Sequence, residues 1–159
     1  ASHSRKQISG KKKIPISVLV VLHDVDKNIL LLERSDKKGY WQSVTGSLDS
    51  YREPLFDAAK RELKEETGID ADKFELKDWK IARHFKIFQH WAHRYPEDVK
   101  FNREHFFSLL VSKDLQIKLS PREHSSYCWL NSAEAIERCF SWTNKEAIRD
   151  LVKHSSSSK

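Results

Sequence analysis

The chain has 159 residues, 38% hydrophobic and 33% charged, enough for one domain with a real core and short for two. No apolar run approaches the roughly 20 residues of a membrane span, and no apolar segment follows the basic start as in a secretory signal. The net charge of +6 invites a nucleic-acid partner, but Arg5, Lys6, Lys11, Lys12 and Lys13 supply five of the 29 basic residues, and the other 24 nearly balance 23 acids.

Residues 1–12 therefore read as a flexible basic tail, ahead of a single domain over 13–153 and a frayed "HSSSSK" end over 154–159. The chain has no methionine, which suits a start that was processed, trimmed or fused. Ile14–Val25 is predicted as a central strand, apolar on both faces in its middle. Asn28–Ser35 is a second strand after an Asp26-Lys27-Asn28 turn, and Tyr40–Ser47 is short and β-rich. A helix follows from about Pro54 to Thr67. Trp79–Ala92 and Glu104–Lys113 alternate like strands, and Tyr127–Leu130 is a short strand. Asn131 or Ser132 can cap a helix over Ala133–Cys139, and Thr143 with Glu146 forms a T-x-x-E box opening a last helix through Lys153. Strands with interspersed helices and no regular βαβ repeat predict an α+β fold or a sheet sandwiched by helices. Cys128 and Cys139 read as reduced core residues of a cytoplasmic protein.

The helix at Pro54–Thr67 carries the chemistry. Pro54 suits a first helical turn and Gly68 a left-handed closing residue. At about 100° per residue from Leu55, the residues Ala59, Leu63, Phe56 and Ala58 form an apolar arc. Asp57, Lys60, Arg61 and Lys64 fill the opposite arc. Glu62, Glu65 and Glu66 fall near ~340°, ~280° and ~20°, in or beside the apolar arc. Burying ionised carboxylates costs several kcal/mol each unless a cation compensates. All-oxygen carboxylate ligands select hard cations, Mg2+ or Mn2+. His84, His90 and His93 do not make a zinc cluster, because strand alternation puts His93 on the opposite face from the other two.

The run "EPLFDAAKRELKEETGI" resembles the Nudix box, the signature of hydrolases acting on nucleoside diphosphates linked to another moiety. Glu53 stands seven residues before Arg61-Glu62-Leu63-Lys64-Glu65-Glu66-Thr67-Gly68-Ile69, as the pattern requires. Gly46 is followed by six residues before Glu53, one more than the pattern has. The stretches "WQSVTGS", "IFQHWAHRYP", "EHSSYCWL" and "SWTNKEAI" are similar to the branch of the family that works on pterin triphosphates in folate synthesis and on dATP.

The resemblance implies an α+β Nudix fold, a mixed sheet sandwiched between helices, and a Mg2+-dependent enzyme, with Mn2+ as a substitute, that splits a small-molecule triphosphate to a monophosphate and pyrophosphate. No nucleic acid or membrane partner is implied, and a monomer is expected. It implies that Glu62, Glu65, Glu66 and Glu123 hold the metal, with Glu65 a further ligand or the base and Arg61 orienting the carboxylates. Lys13, Arg34 and Thr45 match positions around the triphosphate and base; Phe85, Phe88, His124 and Trp142 match others near the substrate. Lys13 reads equally as the end of the basic tail, and Arg34 as half of a surface ion pair. A Nudix enzyme for another nucleotide, such as a surplus deoxynucleotide or a diadenosine polyphosphate, is the alternative. A binding module without catalysis is a second, against which the intact Arg61, Glu62, Glu65 and Glu66 argue.

Overall fold

The structure is a computed structural model that describes residues 12–87 and 89–157. Its spine is β1 (Ile16–His23), a run of Val and Leu buried on both faces. Three strands hydrogen-bond to it. β2 (Ile29–Arg34) pairs antiparallel at its far end, through His23 and Ile29, after the turn in which Lys27 takes φ 65. β4 (Val44–Ser47) takes the near half, antiparallel, with Ser17 opposite Ser47 and Val20 opposite Val44. β6 (Phe101–Leu110) runs parallel to the whole of β1, from Ile16 against Arg103 to His23 against Leu110. β5 (Leu76–Lys86) adds to the outer side of β6. β2 also carries β3 (Trp41–Gln42) and β7 (His124–Leu130). A buried strand with two apolar faces needs a helical layer on each side, and the fold provides both.

On one face α1 (Leu55–Thr67) sets Ala58, Ala59 and Leu63 against Val18, Val20, Leu22, Phe107 and Leu109. On the other, α2 (Ser132–Arg138) and α3 (Trp142–Ser157) cover Leu19, Val21, Ile29, Leu31 and Phe106 with Ala135, Ala147, Ile148 and Leu151. The expected α+β sandwich is the observed one.

Several predicted boundaries move. The strand expected over Trp79–Ala92 starts at Leu76 and stops at Lys86, and Gln89–Arg94 is a 3-10 helix. The aromatic and polar residues there alternate like a strand, but the carbonyls of His93 and Arg94 are captured by the Lys12 ammonium and the Lys13 N–H at 2.9 and 2.7 Å. β6 begins at Phe101 and β7 at His124, each three residues before the expected start. The T-x-x-E box at Thr143 does not form. α3 starts two residues earlier, and Ser141 Oγ accepts from the Asn144 N–H as its cap. Glu146 pairs with Arg149 instead, and the helix continues past Lys153 to Ser157. Pro54 is the residue before α1 rather than within it, and Gly68 closes the helix at φ 76 as expected. Cys139 is buried while Cys128 is only half-buried, and both are free thiols.

Candidate active site

The site grows from the inward face of α1. Glu62 and Glu66 are buried, as the helical period predicts, and Glu65 is half-buried. What lets Glu62 stay there is Gly46. A methyl group at Gly46 would occupy the space filled by the Glu62 carboxylate, so β4 can pass the helix only where it lacks a side chain. The extra residue between Gly46 and Glu53 is absorbed by the loop: the Asp49 N–H donates to Glu53 Oε1 at 2.7 Å and the Glu53 N–H to the Ser50 carbonyl at 3.1 Å.

Arg61 organises the acids. Its Nε and Nη2 donate to the two Glu53 oxygens at 2.9 and 3.0 Å, Nη1 donates to Glu62 Oε2 at 2.9 Å, and Nη2 also reaches the Ser47 carbonyl at 3.1 Å. Asp49 and Glu65 lie 3.2 and 3.7 Å from the same guanidinium. Burial alone would lower the Arg61 pKa, but the Glu53 hydrogen bonds and the charges of Glu62, Glu53 and Asp49 overcome it and raise the pKa. One cation thus faces four carboxylates and cannot neutralise a fifth.

Glu66 is that fifth. It is 1% exposed. Burial first, then the neighbouring Glu62 and Glu123, push its carboxyl well above the ordinary range, against a hydrogen bond from the Thr45 backbone. Its Oε1 is buried without a hydrogen-bond partner among the described residues. Ligand atoms of Glu66, Glu123 and His124 lie within 4.8 Å of one another. An orphaned carboxylate oxygen among further acids fits a divalent cation held by oxygen, and this donor set contains no thiolate that would favour a soft metal.

The second wall comes from β2, β3 and β7. A register shift between Glu33 and Arg34 sets Arg34 opposite His124, an irregularity of the kind that re-aims a side chain. Ser35 donates its N–H to the Glu123 carbonyl at 3.0 Å and its hydroxyl to the Pro121 carbonyl at 2.7 Å, which fixes the turn before β7. His124 is 3% exposed with Nδ1 3.7 Å from Glu66 Oε1. Burial lowers its pKa to about 4, with Glu123 opposing and Arg34 assisting, so the ring is neutral near pH 7. Arg34 grips Asp36 with two 2.8 Å hydrogen bonds, donates to Gln42 Oε1 at 3.3 Å and lies 4.6 Å over the Trp91 ring.

Arg61, Glu62, Glu65, Glu66, Glu123, His124, Arg34 and Thr45 are therefore linked in one network. The surface pair weighed for Arg34 is formed, with Asp36. Lys13, Phe85 and Trp142 sit on further elements. Lys13 places its ammonium 5.6 Å from the Tyr95 ring, Phe85 stands opposite Asn102 on β5, and Trp142 is 52% exposed at the start of α3. Phe88 lies outside the described residues, as do residues 1–11 of the expected tail. Sequence reasoning missed Gln42, Trp91 and Ser35. Strand pairing brings Gln42 in, the 3-10 helix Gln89–Arg94 brings Trp91 over Arg34, and Ser35 meets the turn before β7, contacts between distant segments for which the local sequence carries no signal.

Comparison with known proteins gives three kinds of likeness. The NUDIX domain family matches residues 13–151. The dihydroneopterin triphosphate diphosphatase of Escherichia coli is 41% identical over 143 residues, 88% of this chain and 93% of that one. The solved structure of the E. coli dihydroneopterin triphosphate pyrophosphohydrolase superposes with a TM-score of 0.83 at 39% identity, over 90% of this chain and 98% of that one. The asymmetrical bis(5'-nucleosyl)-tetraphosphatase of Mus musculus is 30% identical over 108 residues, 68% of this chain and 67% of that one.

Proposed function

The chain belongs to the NUDIX family and hydrolyses phosphoanhydride bonds, and from that premise we propose that it cleaves dihydroneopterin triphosphate to the monophosphate and pyrophosphate, with dATP as a second substrate. The observation that carries the reading is the buried Glu66 carboxylate, orphaned at Oε1 among Glu62, Glu123 and His124. A binding module without chemistry has no use for so costly an arrangement. The choice of substrate is supported by the E. coli relative, which is named for it and is similar along most of both chains.

Glu62, Glu66 and Glu123 would hold Mg2+, or Mn2+ in its place. When bound, the ion neutralises charge on the triphosphate and makes the attacking water more acidic. The rest is done by this chain. Arg61 keeps the acids aimed inward through its forked contacts with Glu53 and Glu62. Glu65 or Glu123 takes the proton of the attacking water. Arg34 and Lys13 would add fixed positive charge for the anionic tail, Thr45 and His124 would meet the linker and heterocycle, and the resemblance adds Phe85 and Trp142 as further substrate contacts. Phosphoryl transfer depends mostly on positioning and electrostatics, which is what this network provides. We place the reaction in the cytoplasm, carried out by a monomer on a free small molecule.

The experiment is a substrate panel in Mg2+ scored for pyrophosphate release. Dihydroneopterin triphosphate is expected to give the highest kcat/KM and dATP a lower one, each with equimolar pyrophosphate. Faster cleavage of a dinucleotide polyphosphate than of either triphosphate would overturn the substrate reading in favour of the tetraphosphatase-like alternative, to which the mouse relative points.

A further inference from the structure

Gln42 is a buried side chain, 5% exposed, placed by β3 between Arg34 and His124. Its two ends can be told apart by what faces them. A guanidinium only donates, so the atom 3.3 Å from Arg34 Nη1 is the amide oxygen. The other end is then the amide nitrogen, which also only donates, and it lies 3.1 Å from His124 Nε2. His124 Nε2 must therefore accept, and it carries no proton. A doubly protonated ring would set N–H against N–H at this contact. The ring is neutral with its single proton on Nδ1.

Nδ1 points at the acids. Among the described residues it is buried without a hydrogen-bond partner, and so is Glu66 Oε1, 3.7 Å away. The opposite tautomer would set a lone pair against a carboxylate oxygen. The Nδ1–H tautomer sets a donor against an acceptor, and a contraction of under about 1 Å brings them to hydrogen-bond distance.

We propose that Gln42 is a positioning residue that fixes His124 as its Nδ1–H tautomer, so that His124 donates a hydrogen bond to Glu66 and is not itself a ligand of the cation. The inference rests on the reading of Glu66 as a metal-holding carboxylate. A carboxylate oxygen has two lone pairs, so Glu66 Oε1 can accept from His124 and still face the cation, and His124 acts on the metal-holding carboxylate. The guanidinium of Arg34 completes the series Arg34–Gln42–His124–Glu66, so a residue beside the substrate's charge is joined to the orientation of a metal-holding acid. Partners of this kind, one step behind the ligands, typically set metal affinity and activity.

The test separates tautomer from turnover. Long-range 1H–15N correlation spectra of the full metal-free chain near neutral pH report which ring nitrogen of His124 is protonated, and Nδ1 is expected. Protonation at Nε2 in the unsubstituted protein would overturn the proposal with no variant needed. Gln42→Glu keeps the Arg34 contact but turns a donor into an acceptor, so His124 should move its proton to Nε2. That variant is expected to bind Mn2+ more weakly and to lose kcat at saturating substrate, by on the order of 10–100-fold. A reversed tautomer with unchanged Mn2+ affinity and kcat would also overturn it. The spectra need neither substrate nor metal, so this outcome is independent of the substrate panel.

Discussion

At Gly46 a missing side chain performs a function, because the space where a Cβ would stand is filled by the Glu62 carboxylate. Gly46→Ala should push that carboxylate off its place beside Arg61. Displacing a reacting geometry by about 1 Å can cost on the order of 10²-fold in rate. The expected result is a comparable loss of kcat/KM with a much smaller change in the urea midpoint, since the apolar core of α1 is untouched; parallel loss of both would mean that the glycine serves folding alone. Glu62 and Glu66 were legible in the sequence because a helical period fixes which residues face inward. Phe56 fell in the same arc and is nevertheless 43% exposed, so the wheel marks a direction and not a depth. Gln42 was not legible. Its contacts lie 8 and 82 positions away along the chain, and only the pairing of β2 with β3 and β7 brings them together.

Among the elements, α3 shows how a local motif loses to a tertiary contact. Thr143 and Glu146 have the spacing of a capping box, yet Thr143 is 1% exposed and bonds to Ser141, which takes over the cap. Asn144 then turns to the bend between β3 and β4. It accepts the Ser43 N–H at 2.8 Å and donates to the Ser43 hydroxyl at 3.0 Å. Asn144→Ala leaves a buried N–H without a partner, at a cost of about 1–3 kcal/mol. Glu146→Ala, at an exposed pair with Arg149, should cost under about 1 kcal/mol. Equal losses in denaturant melts would show that the helix is held by its predicted box after all. The strand expected to reach Ala92 failed for a related reason. Period-2 alternation cannot tell a strand from a 3-10 segment whose carbonyls are claimed by the chain ahead of β1.

For the whole molecule, the same polar intrusion on the α3 face links stability to pH. Glu104 on β6 is buried, which raises its pKa to about 7 against a hydrogen bond from Thr143 and the charge of Arg83. The folded state therefore binds this proton more tightly than the unfolded chain, whose value is 4.5. Its contribution is complete below the unfolded pKa and is lost as pH rises through the folded one, about 3 kcal/mol in all. Glu104→Gln should remove that slope and leave the variant the more stable of the two near about pH 8. A wild-type melting profile flat from about pH 5 to 7.5 would refute this. At this scale the two-faced β1 and the helical layers were readable from hydrophobic pattern. The order in which strands meet was not, since β4 and β6 both join β1 across long stretches of other structure.

That parallel join of β1 to β6 has a kinetic consequence. Ile16 finds its partner only at Arg103, so the strand that anchors both cores must wait for most of the chain before its longest ladder can close. Distant pairings delay the reward for loop closure, and folds dominated by them reach the native state in milliseconds to seconds. During that interval the Val18–Leu22 run, fully covered in the native molecule, is an uncovered apolar ribbon of the kind that recruits neighbouring chains. Refolding yield should therefore fall as protein concentration rises.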